Sequence, residues 1–192
     1  MADAALTLTR NQAARRARVI EAAVALASEG GYDAVQMRDV ASSASVALGT
    51  VYRYFSSKDH LLAATLVEWV RDLERRLAAR PPRGDTVADR VVDVIGRASR
   101  AMDRDPLLSA ALVTAVSSPD PAVSACQLEV TRAISATLLV AMDGVDEERR
   151  QGVVKVLSHV WFSSLVGWVS GWSNVGSVGD ELETAARLLL RE

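Results

Sequence analysis

The sequence predicts an all-α protein of about nine helices: an N-terminal three-helix unit of helix-turn-helix type, then a larger helical domain. Three observations predict it. Apolar residues return every three or four positions along most of the chain, and the alternation expected of a half-buried strand is absent. Helix-start devices recur at Thr9-x-x-Gln12, Ser57, Thr86, Asp105-Pro106 and Asp120-Pro121. Stops follow at suitable distances, at Gly30-Gly31, at RPPRGD (80–85) and at Gly144.

Taken in order, the first helix starts at the Thr9 capping box and runs to Gly30-Gly31, with Val19, Ala23, Leu26 and Ala27 on its inner face. Short helices are expected over 37–43 and 47–54. Ser45 stands in the turn between them, where a residue tolerant of positive φ is needed. Ser57 caps a long helix to about Arg80 that carries Leu62, Leu66, Trp69, Val70 and Leu73 on one face. The next starts at Asp85 or Thr86 and repeats Val87, Val91, Ile95, Ala98 and Met102. Helices follow over 105–117 and 121–142, then one from Asp146 to Trp172. SNVGSVGD (173–180) reads as a glycine-serine loop, and Leu182, Ala185, Ala186 and Leu189 mark a last helix. The expected division is 9–56 for the helix-turn-helix domain and 57–192 for the larger helical domain.

Composition narrows the classes. With 192 residues, 49% of them hydrophobic, the chain can bury a sizeable core. Net charge is −2, so no global field announces a nucleic-acid partner. The single cysteine, Cys126, excludes an internal disulfide and reads as a small packing group; His60 and His159 stand without metal-ligand spacing. The N-terminus lacks the basic-then-apolar order of an export signal. Residues 156–172 fall short of the ~20 apolar residues a membrane span needs. A soluble cytoplasmic protein with no cofactor and no membrane partner is expected. No nucleophile–base pair, metal spacing or phosphate loop favours an enzyme. The competing reading of a different class is an all-α lipid carrier or enzyme.

Local charge and shape point elsewhere. Ala41 is small enough for two helices to cross closely, and Val40, Val46 and Val51 can lock them from inside. That leaves Thr50, Tyr52, Arg53 and Tyr54 outward, with Arg38 toward the same surface. Hydroxyls position a helix on DNA phosphates, and Arg38 or Arg53 can reach guanine edges. Lys58 adds charge at a helix start that already favours phosphate. Arg10, Arg15, Arg16 and Arg18 form a run without an acid that tracks a DNA backbone or is simply a solvated face. The tyrosines also admit a plain packing role.

The stretch GGYDAVQMRDVASSASVALGTVYRYFSSKDHLL (30–62) resembles the DNA-binding domain of the TetR family of bacterial regulators. Four segments (GGYDAVQMR, VALGTVYRYF, DPLLSAAL and VWFSSLVGWV) look most like the actinobacterial subfamily that represses cholesterol catabolism. The resemblance implies a homodimeric repressor of double-stranded operator DNA, released by a small-molecule effector, with 9–56 as the helix-turn-helix DNA-binding domain and 57–192 as the C-terminal helical ligand-binding and dimerisation domain. It places Arg38, Leu48, Gly49, Thr50, Tyr52, Arg53, Tyr54 and Lys58 near DNA. Gln36, Ala47, Ser56 and His60 depart from the family's usual capping Thr, Ser, Pro and capping-box acid at those positions. The subfamily implies an apolar effector such as an acyl- or steroid-CoA thioester; a regulator of drug efflux is the rival within the family.

The effector pocket is expected among Leu66, Trp69, Val70, Val91, Ile95, Met102, Leu107, Leu108, Leu112 and Trp161, with Arg97, Arg100 and Arg104 at its mouth for a charged tail. The helix over 146–172 is apolar on two faces, so it must be buried on two sides. One side is core and the other a partner chain, or some of its tryptophans line the pocket. Val160, Gly167, Trp168, Gly171, Leu182, Ala186 and Leu189 are the expected dimer interface.

Overall fold

The computed structural model describes residues 9–191. The export-signal reading of residues 1–8 lies outside them. Among the described residues there are nine helices and no strand: α1 (Arg10–Ala34), α2 (Met37–Ser43), α3 (Leu48–Tyr54), α4 (Lys58–Ala79), α5 (Val87–Asp103), α6 (Pro106–Val116), α7 (Pro121–Ala141), α8 (Glu147–Val169) and α9 (Val175–Leu189).

The starts are made by side chains that satisfy the free N–H groups of a first turn. Thr9 and Gln12 form a reciprocal capping box on α1, and Thr86 and Asp89 form another on α5. Ser57, Asp105, Asp120 and Asp146 cap α4, α6, α7 and α8. The glycine stop in α1 is real: Gly30 and Gly31 leave helical geometry, Gly31 at φ 68°, and the chain resumes one further turn to Ala34. Ser45 is the single non-glycine residue at positive φ among those described (53°), in the turn between α2 and α3. α2 and α3 have no side-chain cap, because Gln36 and Ala47 supply none.

Two departures occur at the C-terminal end. α8 stops at Val169 with Ser170 as its cap, short of Trp172. The segment 173–180 is not a loop: Asn174 accepts from the N–H of Ser177 and starts α9, and Val178 in the first turn is buried. Its glycines serve close packing. Gly179 lies against Ser99, where a Cβ would come within 3.4 Å of the hydroxyl oxygen.

Two hydrophobic cores organise the bundle. The first joins α1, α2, α3 and the start of α4 to α6 and α7, through Val19, Val40, Val51, Phe55, Leu61, Ala111 and Val123. The second joins the far ends of α4 and α7 to α5, α8 and α9, through Leu77, Val91, Ile95, Leu138, Leu157 and Leu182. The helix-turn-helix unit thus shares its core with α6 and α7. α7 and α8 are each long and apolar enough to cross a membrane; here α8 turns Val153, Leu157 and Trp161 into the second core.

Candidate nucleic-acid interface and effector cavity

Val40 and Val51 are fully buried and Ala41 nearly so, while Val46 packs against them and donates its N–H to the carbonyl of Ala41 at 3.0 Å. This clamp turns the rest of α3 outward. Tyr52 is 52% exposed, Leu48, Gly49 and Arg53 are exposed, and Thr50 is half-buried; Arg38 is exposed on α2. A Cβ built on Gly49 meets nothing within 4 Å. The chain's own packing therefore gives no reason for glycine there.

Three expected contacts look different in the structure. Arg16 is turned inward, 3.1 Å from Glu68 and with its guanidinium 5.4 Å from the Phe55 ring centroid, so the protein itself holds its charge. Tyr54 lies against Phe55, and its hydroxyl is buried without a partner rather than offered outward. Lys58 sits 3.7 Å from the centroid of Tyr32 and donates to the Tyr32 carbonyl at 3.2 Å, which leaves two of its three N–H donors for an outside anion. Tyr32 in turn donates to Asp59 at 2.5 Å; burial first, then this hydrogen bond, pushes its pKa up to about 12.

Behind this unit an apolar cavity of about 390 Å³ lies among α4, α6, α7 and α8, within the roughly 300–1,000 Å³ of ligand pockets. Leu66, Trp69, Val70, Met102, Leu112 and Trp161 line it, as expected. Val91 and Ile95 do not: they are sealed in the second core, on the side of α5 that faces α9. Leu107 is 50% exposed on the outside of α6, and Leu108 packs into the first core. Sequence reasoning missed the polar lining, which includes Gln127, Thr131, Ser158 and His159. Trp161 is 7% exposed, and its indole N–H has no partner. An unpaired buried donor on a cavity wall is a hydrogen bond waiting for a ligand acceptor.

The expected dimer residues divide. Leu182 and Ala186 are fully buried within their own chain, and Gly167 is covered by the ring of Trp172, where a Cβ would come within 2.8 Å. Val160, Trp168 and Leu189 are half-buried against the second core, and Gly171 is exposed past the end of α8. The open face of α8 carries instead Gly152, Lys155, Val156, His159, Phe162 and Ser163, and α9 exposes Leu188.

A recognition-type helix on a three-helix clamp, fused through a shared core to a helical domain with an apolar cavity, defines a helix-turn-helix regulator. Residues 19–65 match the family described as bacterial regulatory proteins, tetR family, and residues 84–189 match the tetracyclin repressor-like C-terminal domain. The chain is 39% identical to the HTH-type transcriptional repressor KstR of Rhodococcus jostii over 180 residues, covering 93% of this chain and 84% of that protein. A TetR transcriptional regulator from Rhodococcus sp. RHA1 superposes with a TM-score of 0.83 at 31% identity, covering 95% of this chain and 99% of that one. Thermus thermophilus FadR, solved in complex with lauroyl-CoA, shares the fold at a TM-score of 0.70 and 21% identity, over 91% and 93% of the two chains. The chain belongs to the TetR family of DNA-binding transcriptional regulators and is a repressor close to KstR.

Proposed function

We propose that this repressor is a cytoplasmic homodimer that controls lipid or steroid catabolism genes and leaves its operator when an apolar effector, such as an acyl- or steroid-CoA thioester, enters the cavity. Residues 9–56 read DNA; residues 57–192 bind effector and dimerise. Arg38 and Arg53 address bases, while Thr50, Tyr52 and Lys58 hold phosphates, with Leu48 and Gly49 at the closest approach. Two copies meet through the open stripe of α8 around Gly152, Val156 and Ser163, with Leu188 of α9. The two recognition helices then address major grooves ~34–36 Å apart.

Gly49 carries this reading. Glycine in a helix costs up to ~1 kcal/mol against alanine, and nothing in the chain occupies the space beside it. A surface pressed against α3 from outside gives that glycine a purpose. The effector class is supported by the mostly apolar lining of the cavity, by the similarity to KstR, and by the lauroyl-CoA that Thermus thermophilus FadR holds in the same fold. α4 and α6 line the cavity and pack on the DNA-reading unit. A coupling of ~1–3 kcal/mol through them weakens operator binding ~5–150-fold.

Gly49→Ala separates folding from binding. The variant is expected to unfold at the same or higher urea concentration, yet to bind the DNA upstream of its own gene more weakly. Arg38→Ala is expected to change sequence preference, and Lys58→Ala to weaken all sequences alike. Wild-type affinity for that DNA in Gly49→Ala would remove the central support.

A further inference from the structure

α1 does not simply stop at its glycines. Gly30 and Gly31 break the helix, and one further turn carries Tyr32 against the start of α4. There Tyr32 makes three contacts with two consecutive residues. The Lys58 ammonium lies 3.7 Å from its ring centroid and donates to its carbonyl at 3.2 Å. The Tyr32 hydroxyl donates to Asp59 Oδ1 at 2.5 Å. Lys58 and Asp59 are both half-buried. Among the described residues Lys58 forms no ion pair.

A cation in the first turn of a helix faces the positive end of its dipole and is disfavoured there. Lys58 is the first residue of α4, so within the free protein it needs a counterpart. A carboxylate would serve, but it would also neutralise the charge and compete with any phosphate. A ring face and a carbonyl fix the ammonium yet leave it charged, with two N–H donors open. Asp59, the next residue, is the acid best placed in the sequence to spoil this. The Tyr32 hydroxyl occupies one of its oxygens instead. Burial, then that hydrogen bond, keeps the phenol protonated, with its pKa pushed up to about 12. A lysine stem left free would have to be ordered at the moment a phosphate is gripped; on Tyr32 it is ordered beforehand.

We propose that Tyr32 is a positioning residue for DNA binding: its ring and carbonyl hold Lys58 in the pose that grips an operator phosphate, and its hydroxyl keeps Asp59 from pairing with that lysine. The proposal rests on the reading of Lys58 as a phosphate contact. Tyr32 needs no contact of its own with DNA. It acts by removing freedom from the lysine stem before binding and by leaving the ammonium charge uncompensated for the phosphate. The glycine pair belongs to the same device, because the turn it allows is what brings the ring to α4.

The test measures the affinity of the full-length chain for the DNA upstream of its own gene at several salt concentrations. Lys58→Ala is expected to weaken binding and to lower the slope of log affinity against log salt by about one. Tyr32→Leu is expected to weaken binding about fivefold in the wild-type background, with salt slope and sequence preference retained. It should have almost no further effect where Lys58 is already alanine. Tyr32→Phe keeps the ring and should retain most of the affinity, with Asp59→Asn beside it recovering the rest. In the protein without DNA, the Tyr32 ring current is expected to shift the ε-methylene protons of Lys58 upfield in the wild type and in Tyr32→Phe, but not in Tyr32→Leu. Equal losses from Tyr32→Leu in the two Lys58 backgrounds, or no ring-current shift in the wild type, overturn the proposal and leave the phosphate reading standing. Wild-type affinity and salt slope in Lys58→Ala reject the phosphate reading, and the proposal with it. If Tyr32→Leu misfolds, the wild-type proton shifts and the series of Tyr32→Phe with and without Asp59→Asn decide.

Discussion

The Ser57 hydroxyl donates to Asp120 Oδ2 at 2.9 Å and accepts from the N–H of His60 at 3.0 Å. Asp120 Oδ1 meanwhile accepts from the N–H of Ala122 at 2.9 Å. One hydrogen-bonded pair therefore caps α4 and α7 together. A second such joint lies at the start of α6, where Asp105 caps its helix through Leu108 and also accepts from the Ser28 hydroxyl of α1. α6, a wall of the cavity, is thus bracketed by one bond to α1 of the DNA-reading unit and one to the start of α4.

Ser57→Ala removes both the α4 cap and the link to Asp120. A stability loss of ~1–2 kcal/mol is expected from urea unfolding. Effector-driven release should become less complete, because α7 no longer holds the start of α4. Unchanged release amplitude in a gel-shift titration would argue against the joint as a coupling element.

Acid should weaken this joint. Burial, the largest influence, holds the His60 imidazole below its ordinary 6.5; Arg16 adds to this and Asp120 opposes it. The Ala122 N–H, then the Ser57 hydroxyl, hold Asp120 below its ordinary 3.8. A group with a depressed folded pKa contributes stability above its unfolded value, and that contribution is lost as pH falls through the folded value. Thermal midpoints are therefore expected to fall as the pH drops below about 6.5 and passes the depressed His60 value, and Asp120 adds its loss only below its ordinary 3.8. The Ser56 N–H donates to His60 Nδ1 at 3.1 Å, so protonation of that nitrogen also breaks a bond. His60→Gln should flatten the upper part of the profile; an unaltered slope there would show that other groups set it.

Ser45 supplies the positive φ of the helix-turn-helix turn at a steric cost. Ser45→Gly should leave stability unchanged or raise it by up to ~1 kcal/mol, and Ser45→Val should lower it by about 1–3 kcal/mol. Urea midpoints at constant m-value check both.

Trp161→Phe keeps an aromatic ring on the cavity wall, with less bulk, and deletes the unpaired indole N–H. Stability should change little or fall by about 1 kcal/mol, since removal of an unsatisfied buried donor partly offsets the lost packing. Affinity for an effector bearing a carbonyl should fall by about tenfold. Equal affinities by calorimetry would show that Trp161 only packs.

Val156, 43% exposed on α8, should tolerate Val156→Arg as a folded monomer, with sedimentation showing loss of the dimer at micromolar concentration. Leu182→Ala, in the second core, should instead cost ~2–5 kcal/mol of stability. Retained dimers in Val156→Arg would place the interface elsewhere.

The helix starts were readable from the chain because capping is local: Thr9, Thr86, Asp105 and Asp120 each bind N–H groups two or three residues away. The recognition-helix face was readable for a related reason, since Val40, Ala41, Val46 and Val51 turn inward and so leave Tyr52 and Arg53 outward. Asn174 is the exception, a capping residue hidden in a run of glycine and serine whose helix is held by distant partners such as Ser99. The tertiary structure decided everything that depends on which of several apolar faces meets which neighbour. It put Leu182 and Ala186 in the core rather than a partner's surface, sealed Val91 and Ile95 away from the cavity, and gave Arg16 to Glu68. Periodicity says that a helix is apolar on two sides, but burial is a property of the whole packing and charge pairing of residues fifty positions apart. Arginines at the end of α4 and along α5, among them Arg76, Arg80, Arg97 and Arg100, share a cleft for the same reason, since the two helices are brought together by α6 and α7, on which both pack.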